Sequence, residues 1–262
     1  LMKKIFSINF YFFIFFIIFL LLEGIYSGFY YKVSSLISFI PFKNTASINP
    51  YIWNENGLVE IVQSIFLLIA IFYFFNFIKN LLPKNRKSLF TLLLYFYFIG
   101  LIYYFFEEIS WGQHLFQWDS PKFFLEFNNQ NETNLHNISN LLNELPRSIL
   151  LIWCSFSFLI YNLINKKKKF NKYSSFIFPN KNLKKISFLL IFFVFPDFIV
   201  DKFNLHPGHP VDYTIHIRFY EIVDFLSFNF IRLSELQELI FDYYILVHSY
   251  YLSKNIEINS KT

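Results

Sequence analysis

Apolar residues fall into six blocks along this chain, over about residues 5–22, 57–77, 89–106, 148–164, 186–203 and 233–252. Each approaches the roughly 20 residues that a helix, rising about 1.5 Å per residue, needs to cross a hydrocarbon core of about 30 Å. The first block follows Lys3 and Lys4 with no small-x-small cleavage site after it, so it reads as a retained span and not as a signal peptide. Polar stretches separate the blocks in two alternating kinds. Residues 24–56, 109–146 and 204–232 are long and mixed; the others are short and basic, among them Lys79 to Lys87 and a run from Lys166 to Lys185 with eight lysines and no acid. Within 109–146, Leu135, Ile138, Leu141, Leu142 and Leu145 recur at helical spacing, which predicts an amphipathic helix over Glu132–Glu144 ended by Pro146. The pattern predicts an all-α fold: a polytopic transmembrane helix bundle of about six spans, one integral membrane domain over 1–262, with short helices capping one face.

Charge assigns that face. With the first span entering from inside, inner segments hold 16 of the 23 Lys and Arg, which places the N and C termini in the cytoplasm and the chain in the cell inner membrane. The net charge of +5 is thereby explained by topology, and no nucleic-acid partner is expected. Acids behave oppositely: of 18, only Glu257 is clearly inside, and five of six histidines lie outside or near that face. Chemistry is therefore expected at the outer, periplasmic side. Phe is so abundant, at 40 residues, that no single one carries functional weight. Cys154 is the only cysteine, which excludes an intramolecular disulfide or a CxxC redox pair.

Several polar groups concentrate where spans leave the hydrocarbon. Glu107 and Glu108 end the third span about 100° apart on the helix, so that only one need face the bundle, either as metal ligand or as general base. Glu132 and His136, at i and i+4 of the expected helix, could share a cation. Glu235, Glu238 and Asp242 form an acidic stripe on the sixth span, with Asp242 about 14 Å below its outer end. Glu60 and Gln63 in the second span and Asp197 in the fifth add further polar positions. Carboxylates from four spans thus converge on the outer half of one bundle. His206, His209, Asp212 and His216 offer a secondary nitrogen and oxygen ligand set in a turn-rich loop, and Arg218 offers an anion clamp.

The blocks Glu107-Glu108-Ile109-Ser110-Trp111-Gly112-Gln113 and Glu132-Thr133-Asn134-Leu135-His136-Asn137, with Pro121, Asn128 and Gln130, resemble the signature of a family of uncharacterised bacterial polytopic integral membrane proteins. Asn56-Gly57-Leu58-Val59-Glu60 and Glu235-Leu236-Gln237-Glu238 extend the resemblance over about 60–238; His114 stands where the family has Arg. The resemblance implies membrane architecture and a residue list, with no activity attached. Trp111-Gly112 and Trp118-Asp119 are also similar, one residue out of register, to a tryptophan-rich motif of haem-handling membrane proteins, which makes haem handling a distant option.

Two functions are expected from these groups. The first is a hydrolase or transferase acting on a lipid or lipid-linked substrate through a divalent metal (zinc, iron or manganese). Glu60, Glu108, His136, Glu235 and Glu238 would be its ligands. Glu107, Glu108, Glu132 and Glu238 would be its acids and bases, and Trp111, Gln113, Asn134 and Arg218 its substrate contacts. The second is a proton- or ion-coupled transporter using Asp197, Glu238 and Asp242, which a polar track from Asp242 to His248 would favour; a non-catalytic assembly protein is the remaining alternative. The bilayer is the one partner expected in every case.

Overall fold

The computed structural model describes residues 2–36, 49–53, 57–81, 89–128, 132–135, 138–165, 183–202 and 231–259, and among these there is helix and no strand. The helices are α1 (Met2–Leu36), α2 (Pro50–Trp53), α3 (Leu58–Leu81), α4 (Leu89–Glu108), α5 (Gln113–Phe116), α6 (Lys122–Phe127), α7 (Asn140–Asn165), α8 (Lys184–Lys202) and α9 (Leu233–Asn259). Each of the six apolar blocks coincides with a long helix. Among the described residues three stretches, lying in α1, α3 and α4, are long and apolar enough to cross a bilayer, which marks the chain as a membrane protein.

The solvent that α1 expects is legible in its burial pattern. Phe10, Phe13, Ile17, Leu20, Gly24 and Gly28 make one buried stripe at helical spacing, while Tyr11, Phe12, Phe15, Ile18, Phe19 and Leu22 stand exposed. A helix in water would put polar residues on that second face. Here the exposed face is as apolar as the buried one, so it is complementary to hydrocarbon. The same holds for α3 and α4, which expose Ile61, Ile65, Leu68 and Phe72, and Leu92, Phe96 and Ile99.

Two compact units are present, Leu1–Val59 with Phe193–Gln237, and Glu60–Phe192 with Glu238–Thr262. In the first, Glu23 is the organising acid. Its Oε1 accepts from Ser27 Oγ at 2.7 Å and Asn49 Nδ2 at 2.9 Å, and its Oε2 accepts from the buried Trp53 Nε1 at 2.8 Å. Arg232 Nη1 donates to the Trp53 carbonyl at 2.8 Å, and its Nη2 pairs with Glu235 at 2.9 Å. One clip therefore ties α1, α2 and the start of α9.

In the second unit α9 is the central helix. From Leu239 to Ser253 nearly every side chain is buried in every direction, where the other long helices keep one open face. Ile245 and Leu252 pack with Ala70, Phe74, Phe77 and Ile78 of α3 and Leu94 and Leu101 of α4. Aromatic contacts complete the ring: Phe66 on Tyr243 at 5.5 Å, Tyr73 on Tyr250 at 5.1 Å, and Trp153 of α7 on both Tyr244 and His248 at 5.4 Å. Ser187 Oγ donates to the Cys154 carbonyl at 2.6 Å, joining α8 to α7 as small polar residues do between membrane helices.

Two boundaries depart from the sequence reading. Residues 24–36 continue α1 instead of opening a mixed interfacial segment. The amphipathic helix expected over Glu132–Glu144 is not formed: 132–135 are non-helical, α7 begins at Asn140, and it runs through Pro146. Glu132, Thr133, Asn134 and the Leu135 amide instead bond to Ser110, Gln113 and Glu107, which removes the gain from coiling. Pro146 leaves the Leu142 carbonyl without its helical donor, a cost of about 3 kcal/mol in a helix interior, yet membrane helices carry proline because their neighbours re-satisfy the freed group.

Replacing Glu23 by Ala deprives Ser27, Asn49 and Trp53 of a common acceptor. At about 1–3 kcal/mol for a buried donor so abandoned, Glu23→Ala is expected to lower stability in detergent by about 3 kcal/mol, and Glu23→Gln, which keeps one oxygen, by less. Thermal unfolding followed by circular dichroism measures both.

Candidate functional site

At the end of α4 the two adjacent carboxylates part company. Glu107 is buried and turned toward the residues beyond the helix: its Oε1 accepts from Trp111 Nε1 at 2.7 Å and its Oε2 from the Leu135 backbone N–H at 2.7 Å. Glu108, a further 100° round the helix, is half-buried and lies on the same face as Tyr104, four residues earlier. Tyr104 is half-buried, and its phenol is within electrostatic reach of three carboxyls: Asp242 most strongly, then Glu108 and Glu238. Glu108 thus acts on Tyr104, while Glu107 is engaged with Trp111 and Leu135.

Glu107 anchors a polar cap. The chain leaves α4 through a left-handed turn, Ser110 (φ 45°), Trp111 (φ 55°) and Gly112 (φ 87°), and α5 closes on another left-handed residue, Gln117 (φ 53°). Glycine accepts such angles; Ser110, Trp111 and Gln117 do so at roughly 1–2 kcal/mol each. Hydrogen bonds hold them there. Ser110 Oγ donates to Glu132 Oε2 at 2.9 Å, and Asn134 Nδ2 reaches the same oxygen at 2.6 Å and Ser110 Oγ at 3.2 Å. Asn128 Nδ2 in turn donates to Asn134 Oδ1 at 2.8 Å and to its carbonyl at 3.0 Å. On the other flank Gln113 Nε2 donates to Ser120 Oγ at 2.8 Å, while Gln113 Oε1 accepts the Thr133 N–H at 2.7 Å.

This cap gathers Glu107, Trp111, Gln113, Glu132 and Asn134 from the expected site. Both oxygens of Glu107 already accept from neutral donors, and Glu132 is bound to Ser110 and Asn134, so each works as a bracket for backbone. Glu132 is not in a helix, and its expected partner His136 lies outside the described residues.

The acidic stripe of α9 is divided between two environments. Glu235 pairs with Arg232, whereas Glu238 and the fully buried Asp242 share the surroundings of Tyr104. Asp242 also acts electrostatically on the buried Cys154. Farther along α9, His248, Ser249 and Ser253 are buried as well. Glu60 lies half-buried in the first turn of α3, and Gln63 is buried one turn on.

Among the described residues no three His, Cys, Asp or Glu side chains come together as a metal-binding group. Glu60, Glu108, Glu235 and Glu238 are the described members of the expected ligand set. His136, His206, His209, Asp212, His216 and Arg218 lie outside the described residues, as do the side chains of His114 and Asp197. Sequence reasoning did not single out Tyr104, Ser110 or Ser120. The spacing of Tyr104 and Glu108, i and i+4 on a spanning helix, is the signal that points to the first.

Two substitutions separate bracket from bundle. Glu107→Leu is expected to cost about 3 kcal/mol, since two hydrogen bonds to a charged acceptor are lost, and to speed hydrogen exchange at the Leu135 amide; Glu108→Leu is expected to leave that amide protected. Gly112→Ala adds a Cβ 3.2 Å from the Phe116 ring at a φ of +87°, and its expected cost is about 1–2 kcal/mol, read as a lower unfolding midpoint. Compared with protein-family models, with curated proteins and with solved structures, this chain matches none of them.

Proposed function

We propose that this chain is a six-span protein of the cell inner membrane, both termini cytoplasmic, that works as a proton-coupled carrier through the carboxyls around Tyr104. The observation that carries the reading is the fully buried Asp242 on the central helix, with Glu108 and Glu238 gathered about the same phenol. A carboxylate at the centre of a spanning helix costs about 2.5–3.5 kcal/mol even on lenient insertion scales, and groups of this kind handle protons or ions along a bundle interior. Glu108 and Glu238 are half-buried, whereas Asp242 is fully buried. The Tyr104 hydroxyl both donates and accepts, so it can hand a proton from one carboxyl to another. His248, Ser249 and Ser253 continue the buried polar positions beyond Asp242 on the same helix. The basic loops support the orientation, and α7, α8 and α9 fall where the remaining three spans are expected.

A second reading, the metal-dependent hydrolase or transferase for lipid-linked substrates, draws on one observation. Strained backbone clusters at catalytic sites, and here Ser110 and Trp111 are held left-handed beside Glu107 and Glu132. It needs at least one ligand from beyond the described residues, for which His136 is the candidate.

Infrared difference spectra between acid and alkaline buffer, in lipid, test the first reading without a known substrate. A component of the protonated-carboxyl band that is lost in Asp242→Asn, with the helical circular dichroism unchanged, is the expected outcome; identical carboxyl bands in the two proteins overturn it. Elemental analysis without chelator tests the second. Near-stoichiometric zinc, iron or manganese, lost in Glu108→Ala with His136→Ala, would put the enzyme first.

A further inference from the structure

The segment after α4 is unusual for a surface in water. The six-residue α6 has no buried residue, yet carries Phe123, Phe124, Leu125 and Phe127, with Phe123 and Phe127 each 54% exposed. Lys122 and Glu126, at i and i+4, give it one narrow polar side. Helices shorter than about 12 residues are marginal in water, and one with its aromatic side chains in solvent gains nothing from a core. Phe116 on α5 is 75% exposed, and its ring stacks on the exposed Trp118 at 6.0 Å and 14°.

Phe116 and Trp118 continue the lipid-facing surface of α4, and the exposed aromatics of α6 follow them in the chain. On α4 the side chains of Leu92, Phe96, Ile99, Tyr103 and Phe106 are exposed and succeed one another at steps of four and three residues, a single stripe. In a membrane helix that stripe meets lipid tails. It does not stop at the helix end: exposed Trp111 stacks on Phe106 at 5.3 Å and 15° and meets Tyr103 edge-on at 6.1 Å. The left-handed turn then brings Gly112 against Phe116 and Trp118. Trp and Tyr rings favour the headgroup level, where one end is apolar and the other wet, and short helices with an apolar majority and a charged edge lie in the interface plane.

We propose that the belt formed by Trp111, Phe116, Trp118 and α6 is inserted among lipid headgroups and upper acyl chains, so that the cap is a membrane-seated platform and not a solvent-exposed lid. Its ligand is the bilayer interface itself. The inference rests on the membrane character of α4 and is independent of the proton reading.

Site-directed spin labelling in liposomes tests it. Cys154→Ser frees the chain of its only thiol without touching the carbonyl that Ser187 uses. Single cysteines then replace Phe116, Phe123 or Glu126, with Phe96 as the lipid-facing reference, and each nitroxide is exposed to oxygen, which partitions into lipid, and to a water-soluble nickel chelate. The expected result is a shift of Phe116 and Phe123 labels toward oxygen, as for Phe96, with the Glu126 label shifted toward nickel. Nickel access at Phe116 and Phe123 equal to that at Glu126 overturns the proposal, and so does protection from both reagents, which would mean a protein partner or second copy covers the belt. If labelling disturbs folding, quenching of intrinsic fluorescence by brominated lipid decides. A quenched component lost in Trp118→Phe supports insertion, and identical quenching in the two proteins refutes it.

Discussion

The carboxylate of Glu107 governs the course of the chain beyond α4. A helix end carries backbone groups with no partner of their own, and a carboxylate there draws donors strongly because hydrogen bonds to a charged acceptor are worth about twice neutral ones. Trp111 and the Leu135 amide answer that demand from opposite ends of the cap. With both in place, Ser110 is held in a left-handed conformation, Glu132 and Asn134 close around its hydroxyl, and Asn128 and Gln113 tie down the flanks. The left-handed turn is sustained by this hydrogen bonding, since neither Ser110 nor Trp111 would adopt it alone.

Glu23 does comparable work in the other unit. There too an acid on a long apolar helix collects neutral donors, an amide, a hydroxyl and an indole, and so fixes a short helix against it. Both acids use a tryptophan N–H, a donor with a large apolar body that suits a place where hydrocarbon meets polar structure. Asp242 differs from both, sitting on the one long helix that is enclosed on all sides. It acts electrostatically on the Tyr104 phenol, as Glu108 and Glu238 also do.

The helices were legible in the sequence because the demand for about 20 apolar residues is written directly in composition, and all six blocks became long helices. The cap was legible as a place and illegible as a structure. Periodic leucines argued for a helix through Glu132, but periodicity does not register the competing hydrogen bonds from Ser110 and Asn134, which lie 22 and two residues away in the chain. Glu107 and Glu108 could not be told apart by spacing, since what separates them is where their partners lie. Tyr104 was hidden among 18 tyrosines, and only its neighbours make it distinctive.

The donors that Glu107 receives come from 4 and 28 residues further along the chain, and this has a consequence for biogenesis. When α4 first enters the bilayer, Leu135 has not yet left the ribosome's vicinity, and the new helix must present its terminal acid to water. Closing the cap exchanges that hydration for protein donors in a separate, later event whose loop must first be drawn shut. Until Leu135 arrives, the Glu107 carboxylate lacks one of its two donors, so the cap cannot close before that part of the chain exists.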